Sequence, residues 1–297
     1  MRWYANVREA GSGGATVVLA HGYGANQGIW DKLLPALSQS NRVILFDWDF
    51  TGGGGGGDAE DEGRYTFGRF ADDLIALLDG KGVRGAVLVG HSMSAMAGCI
   101  ASARRPDLFS HLVLLCASPR YINSPSEGYV GGFERAGIDG MLEAMSSDFA
   151  AWVKGFVPNA AGDAAAAPLL EESFLAMRPA VALELARMIF LGDQRGVLAA
   201  VAAPCTIVQV EGDFAAPPSV AEYMGRAMAG AAPDVVIIDS VGHFPQLVAP
   251  RQVLDVLEGM LRRSRRLRGG EDGGHGAAVV EPAAEVEASD GGIDITA

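Results

Sequence analysis

A chain of 297 residues, 49% hydrophobic and 20% charged, carries enough apolar material for one large domain around a buried core, and its composition is not that of a disordered or membrane-spanning protein. The formal net charge of −13 is uneven: seven acidic residues and no Lys or Arg lie between Glu271 and Ala297. The body is therefore only mildly acidic, which argues against a nucleic-acid partner. The opening MRWYANVREAG has no apolar core of signal-peptide length, and no run reaches the ~18 apolar residues of a membrane span. Cys99, Cys116 and Cys205 form no disulfide framework and have no partner at metal-ligand spacing, as expected of buried thiols in a reducing compartment.

Along the chain, short apolar runs alternate with helical periodicity, the pattern of a mostly parallel sheet flanked by helices. Residues 15–20 (ATVVLA) read as a buried strand that runs directly into His21-Gly22-Tyr23-Gly24, and residues 42–46 (RVILF) as the next strand. Six glycines follow at 52–57; with no Lys-Ser/Thr and no helix behind them they read as a loop rather than a phosphate cradle. Residues 67–78 have helical spacing. Residues 86–89 (AVLV) are a strand that enters Gly90-His91-Ser92-Met93-Ser94, with helical spacing over 94–102 and a strand at 112–115.

The alternation breaks over residues 122–198, where helical stretches such as 141–156 and 181–190 dominate, so a helical lid insertion is expected between a first core segment (1–121) and a second (199–268). Such an insertion would leave from the strand C-termini, where open α/β sheets carry their sites. Strands at 206–210 and 235–238 and helices at 220–228 and 253–261 complete the core. Arg262 to Arg268 is basic, either the solvated end of the last helix or a nuclear-import signal. Residues 269–297 are Gly, Ala and acidic residues without periodicity, composition typical of a disordered tail.

An apolar strand entering Gly-x-Ser and then a helix of small residues is the setting of a nucleophile elbow, so Ser92 is the candidate nucleophile. Ser94 stands where the pattern usually has Gly, at a place where strand and helix approach closely. The His21–Gly24 turn sits where hydrolases of this kind keep an oxyanion loop, which makes the backbone N–H groups of Tyr23 and Met93 the candidate oxyanion donors. After the insertion, Asp213 and then His243 each follow a late strand, giving the order Ser…Asp…His. His243 is the expected base and Asp213 its orienter. Glu211 is the rival acid, closer to the strand body, and His91 is expected to be structural. No metal or other cofactor is called for.

Over about residues 5–262 the sequence resembles the plant strigolactone and karrikin receptor hydrolases and a bacterial stress-regulator relative. The strings that carry the resemblance are HGYGANQGIW (21–30), GHSMSAM (90–96), RRPDLFSHLVLLCASPRYIN (104–123), GGFER (131–135), AWVKGF (151–156), MRP (177–179) and GHFPQL (242–247). Tyr23 replaces the usual Phe, and Asp47-Trp48-Asp49-Phe50 is more similar to a third, less characterised paralogue branch. The resemblance implies an α/β-hydrolase fold with a four-helix lid over an apolar pocket, and it matches Ser92, Asp213 and His243 to the triad. It also matches Tyr23, Phe133, Trp152, Phe156, Phe174 and Phe190 to pocket or lid positions, with Phe214 beside the acid. It implies a small butenolide lactone or ester as ligand, attack of Ser92 on its carbonyl, and a modified His243 as one outcome. By the same resemblance an F-box protein and a repressor are the protein partners. Three functions follow: a slow lactone hydrolase, a ligand sensor with incidental turnover, or a general carboxylesterase. In each the protein is a monomer of the cytoplasm, the nucleus or both.

Overall fold

The six apolar runs line up side by side in the computed structural model, which describes residues 3–50 and 65–271. They are β2 (Thr16–Ala20), β3 (Arg42–Trp48), β4 (Ala86–His91), β5 (Phe109–Leu115), β6 (Cys205–Gly212) and β7 (Asp234–Val241), all parallel. In β2 to β6 the central residues are buried on both faces, as the near-continuous apolar runs require, whereas β7, at the sheet edge, leaves Val235 and Ile237 exposed. A seventh strand, β1 (Tyr4–Ala10), is absent from the sequence reading and pairs antiparallel with β3 at the sheet edge. None of its residues is fully buried, Asn6, Arg8 and Glu9 interrupt its apolar residues, and a register shift between Ala5 and Arg8, with Asn6 at φ 49°, breaks its alternation.

The helices are α1 (Leu34–Leu37), α2 (Phe67–Gly80), α3 (Met93–Arg104), α4 (Arg135–Ser147), α5 (Phe149–Ala161), α6 (Ala167–Leu175), α7 (Pro179–Leu191), α8 (Pro218–Ala227), α9 (Pro245–Val248) and α10 (Pro250–Glu271). Four of them, α4 to α7, lie between β5 and β6, with α4 against α7 and α5 against α6. The expected helical stretch 141–156 is in fact broken at Asp148, whose carboxylate accepts from the Ala151 N–H (2.9 Å) and so begins α5 as its N-cap. The four helices match the number that the resemblance implies, while apolar periodicity gives no separate sign of α6. The last helix outruns its expected end at 261, so 269–271 are helical rather than tail, and the exposed Arg262, Arg263 and Arg265 lie on it. The glycine run at 52–57 and the tail from 272 lie outside the described residues. No helix among the described residues is long and apolar enough to cross a membrane.

The strand order β1-β3-β2-β4-β5-β6-β7 places the site. From β2 the chain goes to β3 on one side, and then crosses to β4 on the other. The C-terminal ends of β2 and β4 therefore flank a switch point, where open α/β sheets bind ligands. His21–Gly24 leaves the first of these ends and Ser92 the second.

Candidate active site

Ser92 joins β4 to α3 at φ 53° and ψ −114°, a left-handed conformation costly for a side-chain-bearing residue. The turn is tight enough that a Cβ on Gly90 would meet Ala95 backbone at 2.8 Å. Ser92 occupies the N-cap of α3, yet its side chain makes no cap hydrogen bond. Its hydroxyl faces His243 instead: Oγ lies 2.8 Å from His243 Nε2. On the far side of that imidazole, Nδ1 donates to Asp213 Oδ2 at 2.7 Å. Because Nδ1 faces a carboxylate, the neutral ring has its proton there, leaving Nε2 as acceptor for the serine proton.

Asp213 is fixed by more than the histidine. Its Oδ1 accepts from the backbone N–H groups of Ala215 (2.9 Å) and Ala216 (3.2 Å), and its Oδ2 also accepts from Gln209 Nε2 (3.1 Å). Gln209, fully buried on β6, is anchored in turn to the Ala216 carbonyl. Glu211, the rival acid, is exposed on β6. His91 is fully buried, and its Nε2–H donates to the His243 carbonyl at 2.7 Å, so it holds the backbone of the base.

Cys116, at φ 51° just past β5, brings its sulfur within 4.8 Å of the potential ligand atoms of Asp213 and His243. Spacing along the chain gave no sign of this group, the one among the described residues that could hold a metal ion. Its carboxylate and imidazole are already joined by the 2.7 Å hydrogen bond, and burial pushes the Cys116 thiol well above its ordinary pKa, keeping it protonated. The three cysteines are free and buried.

Met93 is the first residue of α3, so its N–H is one of the donors that a helix start leaves without an intrahelical partner. The loop after β2 presents Tyr23, which lines the cavity over Ser92. The cavity over Ser92 is small, about 20 Å³, roughly room for one water molecule. Its walls are Tyr23, Tyr121, Phe156, Phe174 and Phe190, with Ile189 and Phe244 completing them. Of the pocket residues expected from sequence, Tyr23, Phe156, Phe174 and Phe190 therefore line it, and three do not. Trp152 stacks on Phe156 (4.7 Å between centroids), Phe133 stands beside Phe190 at 6.4 Å, and Phe214 is 38% exposed. Their spacing marked them as helical or loop aromatics without revealing which way they turn. Tyr121, not anticipated, puts its hydroxyl 3.4 Å from Ser92 Oγ. A larger cavity of about 640 Å³, bordered by Asn26, Asp47, Trp48, Leu169 and Glu172, contains no member of the Ser92–His243–Asp213 group.

The Tyr23 hydroxyl donates to the Ala182 carbonyl on α7 (2.9 Å) and its ring packs edge-on to Phe174 at 5.3 Å. Gly24, at φ +69°, makes that seating possible, since a Cβ there would fall 2.0 Å from the Phe174 ring. These contacts brace one wall of the cavity over Ser92, so a ligand that widens it on this side works against them. Tyr23→Phe, which removes only the hydroxyl, is expected to lower KM for a bulky ester about 2–10-fold, the worth of one ordinary hydrogen bond. Steady-state kinetics on short and bulky esters check this; an unchanged KM would mean that ligand entry leaves the bond intact.

Two buried histidines set the acid limit. Burial depresses His21 from 6.5 to about 4 and His91 well below its ordinary value, so both are neutral in the folded chain. Unfolded histidines take up protons below pH 6.5, and the folded ones do not until much lower. Stability is therefore expected to fall as pH drops from 6.5 toward 4. By pH 5, above most carboxylate titration, His21 alone accounts for about 2 kcal/mol. Urea midpoints at pH 7 and pH 5 test it, and equal midpoints would contradict it.

A profile described as the alpha/beta hydrolase family matches residues 17–256. A strigolactone esterase of Arabidopsis thaliana is 41% identical over 261 residues, covering 87% of this chain and 96% of the relative. A karrikin insensitive 2 receptor of Petunia hybrida is 42% identical over 256 residues, covering 85% and 93%. Among solved structures, a hydrolase from Oleispira antarctica superposes with a TM-score of 0.79 at 29% identity, covering 86% of this chain and 94% of that one.

Proposed function

Because the chain belongs to the alpha/beta hydrolase family, and within it to the group of strigolactone esterases and karrikin receptors, we propose that it is a serine hydrolase that binds and slowly opens butenolide lactones or related esters. Ser92 is the nucleophile, His243 the base and Asp213 its orienter. The observation that carries this reading is the unbroken relay from Asp213 through His243 to Ser92, at 2.7 and 2.8 Å, beneath a cavity walled by aromatic rings.

Ser92 Oγ attacks the carbonyl carbon as its proton passes to His243 Nε2. The N–H groups of Tyr23 and Met93 receive the negative charge on the carbonyl oxygen. The imidazolium then protonates the departing oxygen, the C–O bond breaks, and a water deprotonated by His243 releases the acyl group from Ser92. Helices α4 to α7 act as the lid, and the apolar walls favour a ligand with few polar handles.

One observation favours a second role, that of ligand sensor: the cavity is too small for a lactone ring unless lid side chains move. Ligand occupancy is thereby coupled to lid geometry, and that geometry is what a partner such as an F-box protein would read. The cytoplasm and nucleus suit the three buried free thiols and the exposed arginines of α10. The deciding experiment follows a fluorogenic butenolide ester and 4-nitrophenyl acetate in parallel, with intact mass taken at early times. Butenolide cleavage with a covalent adduct supports the lactone reading. Cleavage of the acetate alone reduces the protein to a general carboxylesterase.

A further inference from the structure

Ser94 stands where the elbow pattern has glycine, and closeness of packing explains only its small size. Its hydroxyl is buried and fully engaged: Oγ donates to the His21 carbonyl (2.5 Å) and accepts from Trp48 Nε1 (2.8 Å). The same indole N–H also reaches the His21 carbonyl at 3.1 Å. Trp48 grips His21 at its other end too, since its backbone N–H donates to His21 Nε2 at 2.9 Å. A backbone N–H can only donate, so this bond fixes the tautomer: Nε2 accepts and Nδ1 bears the proton. Nδ1 lies 2.9 Å from the Gly22 carbonyl and donates to it.

That last bond reaches the reaction. The Gly22 carbonyl and the Tyr23 N–H are the two ends of one rigid peptide plane. A donor on its oxygen fixes where the N–H points and polarises it as a donor. The His21 carbonyl, clamped by Ser94 and Trp48, fixes the preceding plane. Every soft torsion leading to the Tyr23 N–H is thus constrained by one buried network. His21 is fully buried and holds its neutral form down to about pH 4, so the tautomer is constant through any working range.

Resting on the reading of Ser92 as nucleophile, we infer that Ser94 and Trp48 are positioning residues for the oxyanion hole, acting through His21 on the Tyr23 N–H. Neither touches substrate. Loosening the network costs transition-state stabilisation and leaves ground-state binding alone.

The test uses the full chain with Ser94→Ala, Trp48→Phe and the double variant, assayed on 4-nitrophenyl acetate and with phenylboronic acid, whose tetrahedral Ser92 adduct places an oxygen in the oxyanion hole. Trp48→Phe removes the indole N–H, keeps an aromatic ring against Phe46 and Phe70 and leaves the backbone bond to His21 in place. Each single variant is expected to lower kcat about 10-fold, part of the ~10²–10³ that outright loss of a donor costs. The boronate Ki should rise in proportion, with KM within about twofold and the pH profile unshifted. Because both groups act on one carbonyl, the double variant should lose clearly less than the product of the singles. A kcat within twofold of wild type in Trp48→Phe overturns the inference, as does a fall in kcat with an unmoved boronate Ki or a displaced pH profile. Should Ser94→Ala fail to fold, Trp48→Phe decides alone. Ser92→Ala separates the two levels: if it remains active the hydrolase reading fails, whereas if it is dead while Trp48→Phe is normal only this inference does.

Discussion

Ser92→Ala is expected to lower ester turnover about 10⁶-fold, leaving the ~10³–10⁴ advantage over water that an oxyanion hole and binding supply on their own. The size of the loss follows from what the hydroxyl alone provides. It is the group that faces His243 Nε2, at 2.8 Å, and Tyr121, the other hydroxyl near it, is 3.4 Å from Ser92 Oγ. Burial pushes the Tyr121 phenol well above its ordinary pKa, so it cannot ionise to replace the serine. The fold should survive, because alanine occupies the same strained turn and the Ser92 side chain makes no cap bond to lose. Loss of the 2.8 Å bond to His243 is its main cost, so the variant should unfold in urea within about 1–2 kcal/mol of wild type. Stopped-flow release of 4-nitrophenolate measures the loss. Turnover within tenfold of wild type would remove Ser92 from the chemistry altogether.

What could be read in the sequence was whatever the local chain pattern determines. The parallel strands were visible because burial on both faces demands unbroken apolar runs such as Val43–Phe46. The edge strand β1 was not, because none of its residues is fully buried, polar residues break up its apolar ones and a bulge interrupts it. Asp148 divides α4 from α5 by a side-chain cap that apolar periodicity alone does not register. Ser92, Asp213 and His243 were legible because each follows a strand end in an order the fold repeats. Gln209, Cys116 and Tyr121 were not, because their positions depend on strand register and loop path. Pairing of Leu115 with Val208 brings β5 beside β6, and Cys116 N–H then donates to the Val208 carbonyl, which sets the thiol beside Asp213. Ser94 was read only by size, since nothing in a single string says that Trp48 and His21 will meet it. The directions of Phe133, Trp152 and Phe214 were hidden for a related reason: a helix or loop position gives spacing, and only packing decides which face meets the cavity.

Asp213→Asn is expected to lower kcat about 10⁴-fold while leaving the free energy of unfolding in urea within ~2 kcal/mol of wild type. Four N–H donors surround this carboxylate, the two backbone groups on Oδ1, and His243 Nδ1 with Gln209 Nε2 on Oδ2, and the Cys116 thiol is a further neighbour. An amide has one oxygen and one NH₂, so whichever way the introduced asparagine turns, its NH₂ meets donors. Facing the backbone, the NH₂ would oppose two N–H groups that cannot move. The lower-energy choice therefore points it at His243 and Gln209. Gln209 is tied to the Ala216 carbonyl and cannot invert freely, so the imidazole is the group that yields. Its proton moves to Nε2, and Nδ1 accepts from the asparagine. With Nε2 protonated, the ring becomes a donor toward Ser92 and can no longer take its proton. KM should barely change, since Asp213 does not line the cavity. If Asp213→Asn instead kept kcat within tenfold, the imidazole would be oriented by the His91 contact to the His243 backbone and by packing alone, and the carboxylate would not be part of the relay.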